Sequence, residues 1–441
     1  MPTPAPDDTI AAWASRFAPV EVVRMLLLLV TLAAAQAATA DIAPVRNAAT
    51  VRAALAELDR THDATVAEIV ELTQIPAPPF KEAARAAAYA AKFRAAGLRD
   101  VSIDAEGNVT GLRPGTDRAA KLVVLSAHLD TVFPEGTDVT VRREGTKLFA
   151  PGIGDDTRGL AVLLAYARAM DAAKVATRAP ILFVGTVGEE GRGDLRGVRH
   201  LLTKGPYRGR VGAFFSMDGA DPSRVTIGGV GSKRYRVTFK GPGGHSYGAF
   251  GIVNPAAAMA GAIAELYAVV PAKTPRTTYA ASVVGGGTSV NAIPNSVFVD
   301  VDMRSEDGGE LARLEQRFLA IVDRAVAAEN VARSTRFGTV SAVREVIGDR
   351  PAGATPRTAP LVTTTAASVA AMGFTPDFNA SSTDSNVAMN LGIPAVTIES
   401  GGQAGRAHAP DEWIDVAKPE SVRGMSVGLL AVVAAAGLAS R

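Results

Sequence analysis

Apolar residues recur every three to four positions over residues 48–73 and 81–96, the spacing of helices with one buried face. The loop Ile75-Pro76-Ala77-Pro78-Pro79 divides them, because prolines cannot continue a helix. Val101–Asp104 and Asn108–Leu112 are predicted as paired strands around a Glu106-Gly107 turn. The pattern then becomes continuous. Lys121–Ser126, Ala179–Val187 and Val211–Met217 are apolar runs of strand length, and Gly159–Ala173 has helical length and spacing. Strands with no polar face, alternating with helices, predict an α/β domain with a mostly parallel sheet covered on both sides. Ligands bind such sheets outside the carboxyl ends of the strands.

From about residue 230 the rhythm changes. Strands are predicted at Arg234–Lys240, Thr278–Val284, Val297–Arg304 and Ser334–Val346, and helices at Pro255–Val270 and Leu311–Ala328. The order β-α-β-β-α-β is that of a ferredoxin-like α+β unit, inserted into the first domain. The α/β pattern then resumes with helix Pro360–Met372, strand Ala395–Glu399 and an apolar helix from about 420. The expected division is a leader over 1–40, a first domain over 41–229 and 347–441, and the insert over 230–346.

The leader rests on Arg24, the apolar run Met25–Ala35 and the small residues Ala38-Thr39-Ala40. That is the make-up of a secretory signal, and the run is short for a membrane span. The expectation is an exported chain, periplasmic or secreted, starting near Asp41, with no membrane anchor in the mature form. The alternatives are an ordinary N-terminal helix, or translation from Met25. A net charge of +2 with scattered basic residues gives no case for nucleic acid. The absence of cysteine excludes thiolate metal sites, thiol nucleophiles and disulfides. Any zinc must be held by His, Asp and Glu, as in catalytic sites.

The chemistry falls at strand ends. His128-Leu129-Asp130 follows the first buried strand, Glu189-Glu190 the second, and Asp218 the third. Asp155-Asp156 follows Pro151-Gly152-Ile153-Gly154 at the start of a helix, and His408 lies in a glycine-containing loop after 400. Taken singly, each has an ordinary reading: a bonded histidine, a helix cap, a solvated acidic loop. Together they supply imidazole and carboxylate for two divalent ions, with one carboxylate left to move a proton.

The chain resembles the M20 metallopeptidases, which include aminoacylases, carboxypeptidase G2 and tripeptide aminopeptidase. The resemblance runs over about residues 60–440. It is carried by Ser126-Ala127-His128-Leu129-Asp130-Thr131-Val132, Gly154-Asp155-Asp156-Thr157-Arg158-Gly159, Gly188-Glu189-Glu190-Gly191 and Gly241-Pro242-Gly243-Gly244-His245-Ser246. It implies two zinc ions, with cobalt or manganese as substitutes. His128 and Asp218 would hold one ion and Glu190 and His408 the other, with Asp155 bridging. Asp130 would orient His128, and Glu189 would be the general base. The insert would be a lid that mediates a homodimer. His245 would reach the partner's site, and Asn291 and Arg304 would bind polar or carboxylate groups of the substrate. The implied substrate is a short peptide or N-acyl amino acid. Asp at 218, where many deacylases and carboxypeptidases have Glu, tilts the reading toward the aminopeptidase branch. Deacylase or carboxypeptidase activity, and a peptide-binding protein without catalysis, are the alternatives. Thr157-Arg158 departs from the family, which commonly has Lys after the Asp pair. His62 and His200 match nothing and are read as surface residues.

Overall fold

The structure is a computed structural model that describes residues 40–439, and the predicted leader falls outside them except for Ala40. Among the described residues no helix is long and apolar enough to cross a membrane. The helix expected over 48–73 is two helices, Ala49–Arg60 and His62–Thr73. Thr61 interrupts it, with its hydroxyl donating to the Glu57 carbonyl at 2.7 Å, a side-chain bond that competes with the helical ladder.

The main sheet runs Arg99–Ile103, Val109–Arg113, Ile181–Thr186, Leu122–His128, Val211–Met217, Ala395–Ile398, Arg224–Gly229 and Gly353–Ala354, with Asp377–Ser381 paired to Arg224–Gly229. The four strands from Ile181–Thr186 to Ala395–Ile398 are mutually parallel. Every residue of Leu122–His128 and Ile181–Thr186 is buried, as continuous apolar runs require. Helix Arg158–Ala172 is buried on nearly all sides. Arg224–Gly229 and Asp377–Ser381 give no strand signal in the sequence because they are polar or glycine-rich and lie toward one edge of the sheet. The parallel strands end on one side, so His128, the loop with Glu189-Glu190, Asp218 and Glu399 emerge together.

The inserted unit has its own antiparallel sheet, in the order Thr277–Gly286, Ser296–Ser305, Gly231–Lys240, Ser341–Arg350. Helices Pro255–Tyr267 and Gly308–Ala332 cover one face. Residues along Ser296–Ser305 alternate strictly between half-buried and buried, as in a sheet with one apolar face. Val237, Phe239, Met303 and Phe318 belong to a core separate from that of the main sheet. Asn254 and Asp307 cap the two helices by accepting the amides of Ala256 at 3.0 Å and Glu310 at 2.8 Å. The predicted strand Ser334–Val346 begins only at Ser341, because Gly338 closes a turn onto the Thr335 carbonyl.

Candidate active site

Asp155 stands at the centre. Its Oδ1 lies 2.8 Å from His128 Nε2, and its Oδ2 lies 3.1 Å from His408 Nε2. His408 Nε2 is also 2.9 Å from Glu190 Oε1. Ligand atoms of His128, Asp155 and Asp218 fall within 4.8 Å of one another, and so do those of Asp155, Glu190 and His408. These are the two expected trios, sharing Asp155. A third group, His128, Glu189 and Glu190, meets the same distance. Glu189, however, is engaged elsewhere: Arg350 Nη1 lies 3.1 Å from its Oε1, and Arg350 Nη2 donates to its carbonyl.

The two halves of each acidic pair do different work. Asp156 turns away from Asp155 and accepts the His128 amide on Oδ2 at 3.0 Å. Its Oδ1 sits against the next helix, where a Cβ at Gly159 would be 2.1 Å away, so glycine is required there. Asp156 thus faces the His128 amide and the helix start, and Asp155 is left free to face the imidazoles. Asp130 also departs from expectation. The acceptor that orients His128 is the Asp130 backbone carbonyl, 2.9 Å from Nδ1, while its carboxylate is 3.7 Å away. That carboxylate instead accepts the amides of Glu189 at 3.1 Å and Glu190 at 2.9 Å, fixing the turn that presents both glutamates.

Thr157-Arg158 has a structural use. The Thr157 hydroxyl donates to the Gly152 carbonyl at 2.7 Å. Arg158 is buried and donates to the Asp415 carbonyl at 2.9 Å and to Ser421 at 2.8 Å, tying the Asp155 segment to the chain that follows His408. The reading of His62 as a surface residue is corrected. It is 3% exposed, and neither ring nitrogen has a hydrogen-bond partner. It occupies the first turn of a helix whose inner face packs on the Arg158 helix, a neighbour that only the tertiary fold supplies. His200 is half-buried, 3.9 Å from Asp104.

Crowding sets the electrostatics. Burial raises the Glu189 carboxyl, with Arg350 opposing and Glu190 adding to the rise. Burial and the neighbouring Asp155 charge push Asp218 well above the carboxylate range. Burial works against a charged His128, but the hydrogen bond to Asp155 and the surrounding carboxylates outweigh it and hold the ring well above its ordinary value. Bonds to Asp155 and Glu190 lift His408 to about 10. Without a cation, protons on the imidazoles thus balance the carboxylates. A metal needs neutral imidazole and ionised carboxylate, so its entry must displace those protons. Loading the metal-free protein at pH 7 is therefore expected to release protons, read by an indicator dye in weak buffer. Loading without release would mean the imidazoles are not ligands. The same shift has a stability sign. A folded-state value above the unfolded one stabilises below about 6.5 and is lost as pH rises through about 10, so the metal-free protein should weaken across that window.

The site opens into a cleft of about 1400 Å³. Arg304 lines it, together with Arg234 and Arg350, which carry no motif in the sequence. Arg304 Nε pairs with Asp302 at 2.7 Å, and Arg234 Nε meets the other oxygen of that carboxylate at 3.1 Å. The one signal Arg350 offers is its place at the end of a strand directly before Pro351. His245 and Asn291 are not in the cleft. They share an exposed two-stranded antiparallel ribbon of the inserted unit, where His245 pairs with Ala292 and the Ser246 amide donates to the Asn291 carbonyl at 2.9 Å. Glu399 and Glu412, both buried beside the site, are likewise unmarked by any sequence pattern.

A family model described as peptidase family M20/M25/M40 matches residues 124–432. Curated protein sequences gave no match. Among solved structures, the chain is similar to aminopeptidase PepT from Bacillus cereus, with 20% identity, a TM-score of 0.67, and coverage of 85% of this chain and 99% of that one. It is similar to a hydantoinase/carbamoylase family amidase from Burkholderia ambifaria, with 21% identity, a TM-score of 0.59, and coverage of 87% and 98%. It is also similar to the Bacillus subtilis YXEP protein, a dinuclear metal binding peptidase, with 14% identity, a TM-score of 0.63, and coverage of 85% and 98%. At these identities the likeness is one of fold. With the family match spanning most of the chain, it follows that this protein belongs to peptidase family M20/M25/M40 and is a metal-dependent hydrolase.

Proposed function

We propose that the chain is a two-zinc hydrolase that cleaves peptide bonds of short peptides in the manner of an aminopeptidase. The observation that carries this reading is the split of the Asp155 carboxylate, one oxygen 2.8 Å from His128 and the other 3.1 Å from His408. His128, Asp155 and Asp218 would hold one ion, and Asp155, Glu190 and His408 the other. When bound, such a pair polarises the scissile carbonyl and makes water acidic enough to attack at neutral pH. The rest belongs to the side chains. Glu189 takes a proton from the attacking water on a carboxylate oxygen and returns it to the leaving nitrogen. Arg350 keeps that carboxylate aimed, and with Glu189 only 5% exposed, bulk water does not intercept the proton. Arg304 offers its guanidinium to a substrate carboxylate, which it can engage bidentately.

One observation favours a second reading. Six arginines line the cleft, and two of them, Arg234 and Arg304, share the single carboxylate of Asp302, which leaves guanidinium donors that suit the free carboxylate of an N-acyl amino acid or of a peptide C-terminus. Binding without catalysis is disfavoured by two adjacent buried glutamates, of which binding needs only one. Chelation is expected to abolish activity, and Zn²⁺, Co²⁺ or Mn²⁺ to restore it. The restored protein is then tested on di- and tripeptides beside N-acetyl amino acids. Full activity without metal would end the proposal, and release from N-acetyl substrates alone would select the deacylase.

We further read the exposed two-stranded ribbon with His245 and Asn291 as completing the site of a second copy in a homodimer. Mixing His245→Ala with Glu189→Gln should then restore part of the activity that each lacks alone; an active monomer would rule this out. Export through the 1–40 leader is part of the same proposal, and protein with residue 1 intact in the cytoplasm would refute it.

A further inference from the structure

Three buried carboxylates beside the site are satisfied by backbone amides of loops that carry other site residues. Asp130, from the His128 loop, holds the amides of Glu189 and Glu190. Glu399 accepts the Asp221 amide at 2.8 Å, in the turn after Asp218. Glu412 holds the most. Its Oε1 accepts Gly154 at 2.7 Å and Asp155 at 2.8 Å, and its Oε2 accepts Gly152 at 2.9 Å.

From this geometry we infer that Glu412 is a positioning residue for Asp155, setting the backbone from which the Asp155 carboxylate reaches His128 and His408 together. The inference rests on the two-metal reading above. Backbone amides converging on one anion form a cradle of the kind that elsewhere binds phosphate, and here the chain fills it with its own carboxylate. Gly152 enters the turn at φ 73°, a conformation that glycine adopts without strain. A Cβ at Gly154 would stand 3.0 Å from Oε1, so glycine there lets the carboxylate close onto the amides. Glu412 is 1% exposed, and its own carbonyl accepts the Ala150 amide at 3.0 Å. It follows His408 by four residues, on the segment that Arg158 anchors at Asp415. A single short stretch therefore supplies one expected ligand, His408, and fixes the turn that supplies the shared one, Asp155. The Glu412 carboxylate bonds to the Gly152, Gly154 and Asp155 amides and makes no hydrogen bond or ion pair with His128 or His408, so it acts through Asp155 and not on the substrate.

Glutamine tests the charge at nearly constant volume, because its amide nitrogen is a donor and cannot accept the N–H groups of the cradle. The experiment compares zinc-loaded wild type, Glu412→Gln and Glu412→Ala for zinc affinity against a chromophoric chelator, for kcat and KM, and for thermal melting, with and without formate. Glu412→Gln is expected to fold, to bind zinc 10–100-fold more weakly, as partners of ligating groups typically do, and to lose kcat over a similar range. KM should stay within about twofold, since no substrate contact is removed. Formate should restore part of the zinc affinity and kcat of Glu412→Ala, which leaves room for an anion, and not of Glu412→Gln, which does not.

Wild-type zinc affinity and kcat in Glu412→Gln would overturn the inference. So would a raised KM alone, a folded Glu412→Ala that formate leaves unchanged, or failure of both variants to fold, which would make Glu412 a residue of the fold only. Wild-type protein that binds no zinc would instead refute the two-metal reading.

Discussion

Glu189→Gln is expected to lower kcat by about 10²–10⁴-fold, the range typical of a missing general base, while both metal equivalents remain bound. The separation follows from what each glutamate touches. Glu190 meets His408 Nε2 at 2.9 Å and belongs to a trio with Asp155. Glu189 is held by Arg350, which bonds both its carboxylate and its carbonyl. Glutamine keeps an oxygen for that guanidinium, so the loop should stay in place while the proton acceptor is lost. Turnover and metal content measured on the same preparation decide the matter. A wild-type rate would place the base elsewhere. Loss of one metal equivalent would make Glu189 a ligand, as its approach to His128 and Glu190 permits.

Asp155→Ala should do the opposite, removing metal before chemistry can be assessed. Its carboxylate is the one group that both expected trios share. Its loss should weaken both ions, each by more than the 10–100-fold typical of a residue that only supports a ligand. Asp218→Ala, which belongs to one trio, should affect one equivalent far more than the other. Titration of the metal-free variants with zinc separates the cases. If Asp155→Ala still binds one equivalent at wild-type affinity, Asp155 serves a single ion.

Much of this site is legible in the order of residues along the chain. Buried strands announce themselves by unbroken apolar runs, and the residues just beyond them, His128, Glu189-Glu190 and Asp218, emerge on one side because parallel strands share a carboxyl end. The inserted unit is legible through the change to alternating burial and its β-α-β-β-α-β order. The polar pair Arg224–Gly229 and Asp377–Ser381 is not, since short, polar or glycine-rich strands toward a sheet edge have no periodic signature.

The sequence by itself determined which residue types stand at strand ends, and hence the two imidazoles and the carboxylates of the site. Periodicity and local spacing carry that information. The fold alone decided how those carboxylates divide their work: Asp155 toward both imidazoles, Asp156 toward the helix start, Asp130 toward the glutamate amides. It also brought Arg350 to Glu189 and Glu412 to Gly152, Gly154 and Asp155, pairs separated by 161 residues and by 257 or more. A buried carboxylate must find donors, and its neighbours in space come from remote segments. Which donors it finds is settled by packing, and no local pattern in the chain records it.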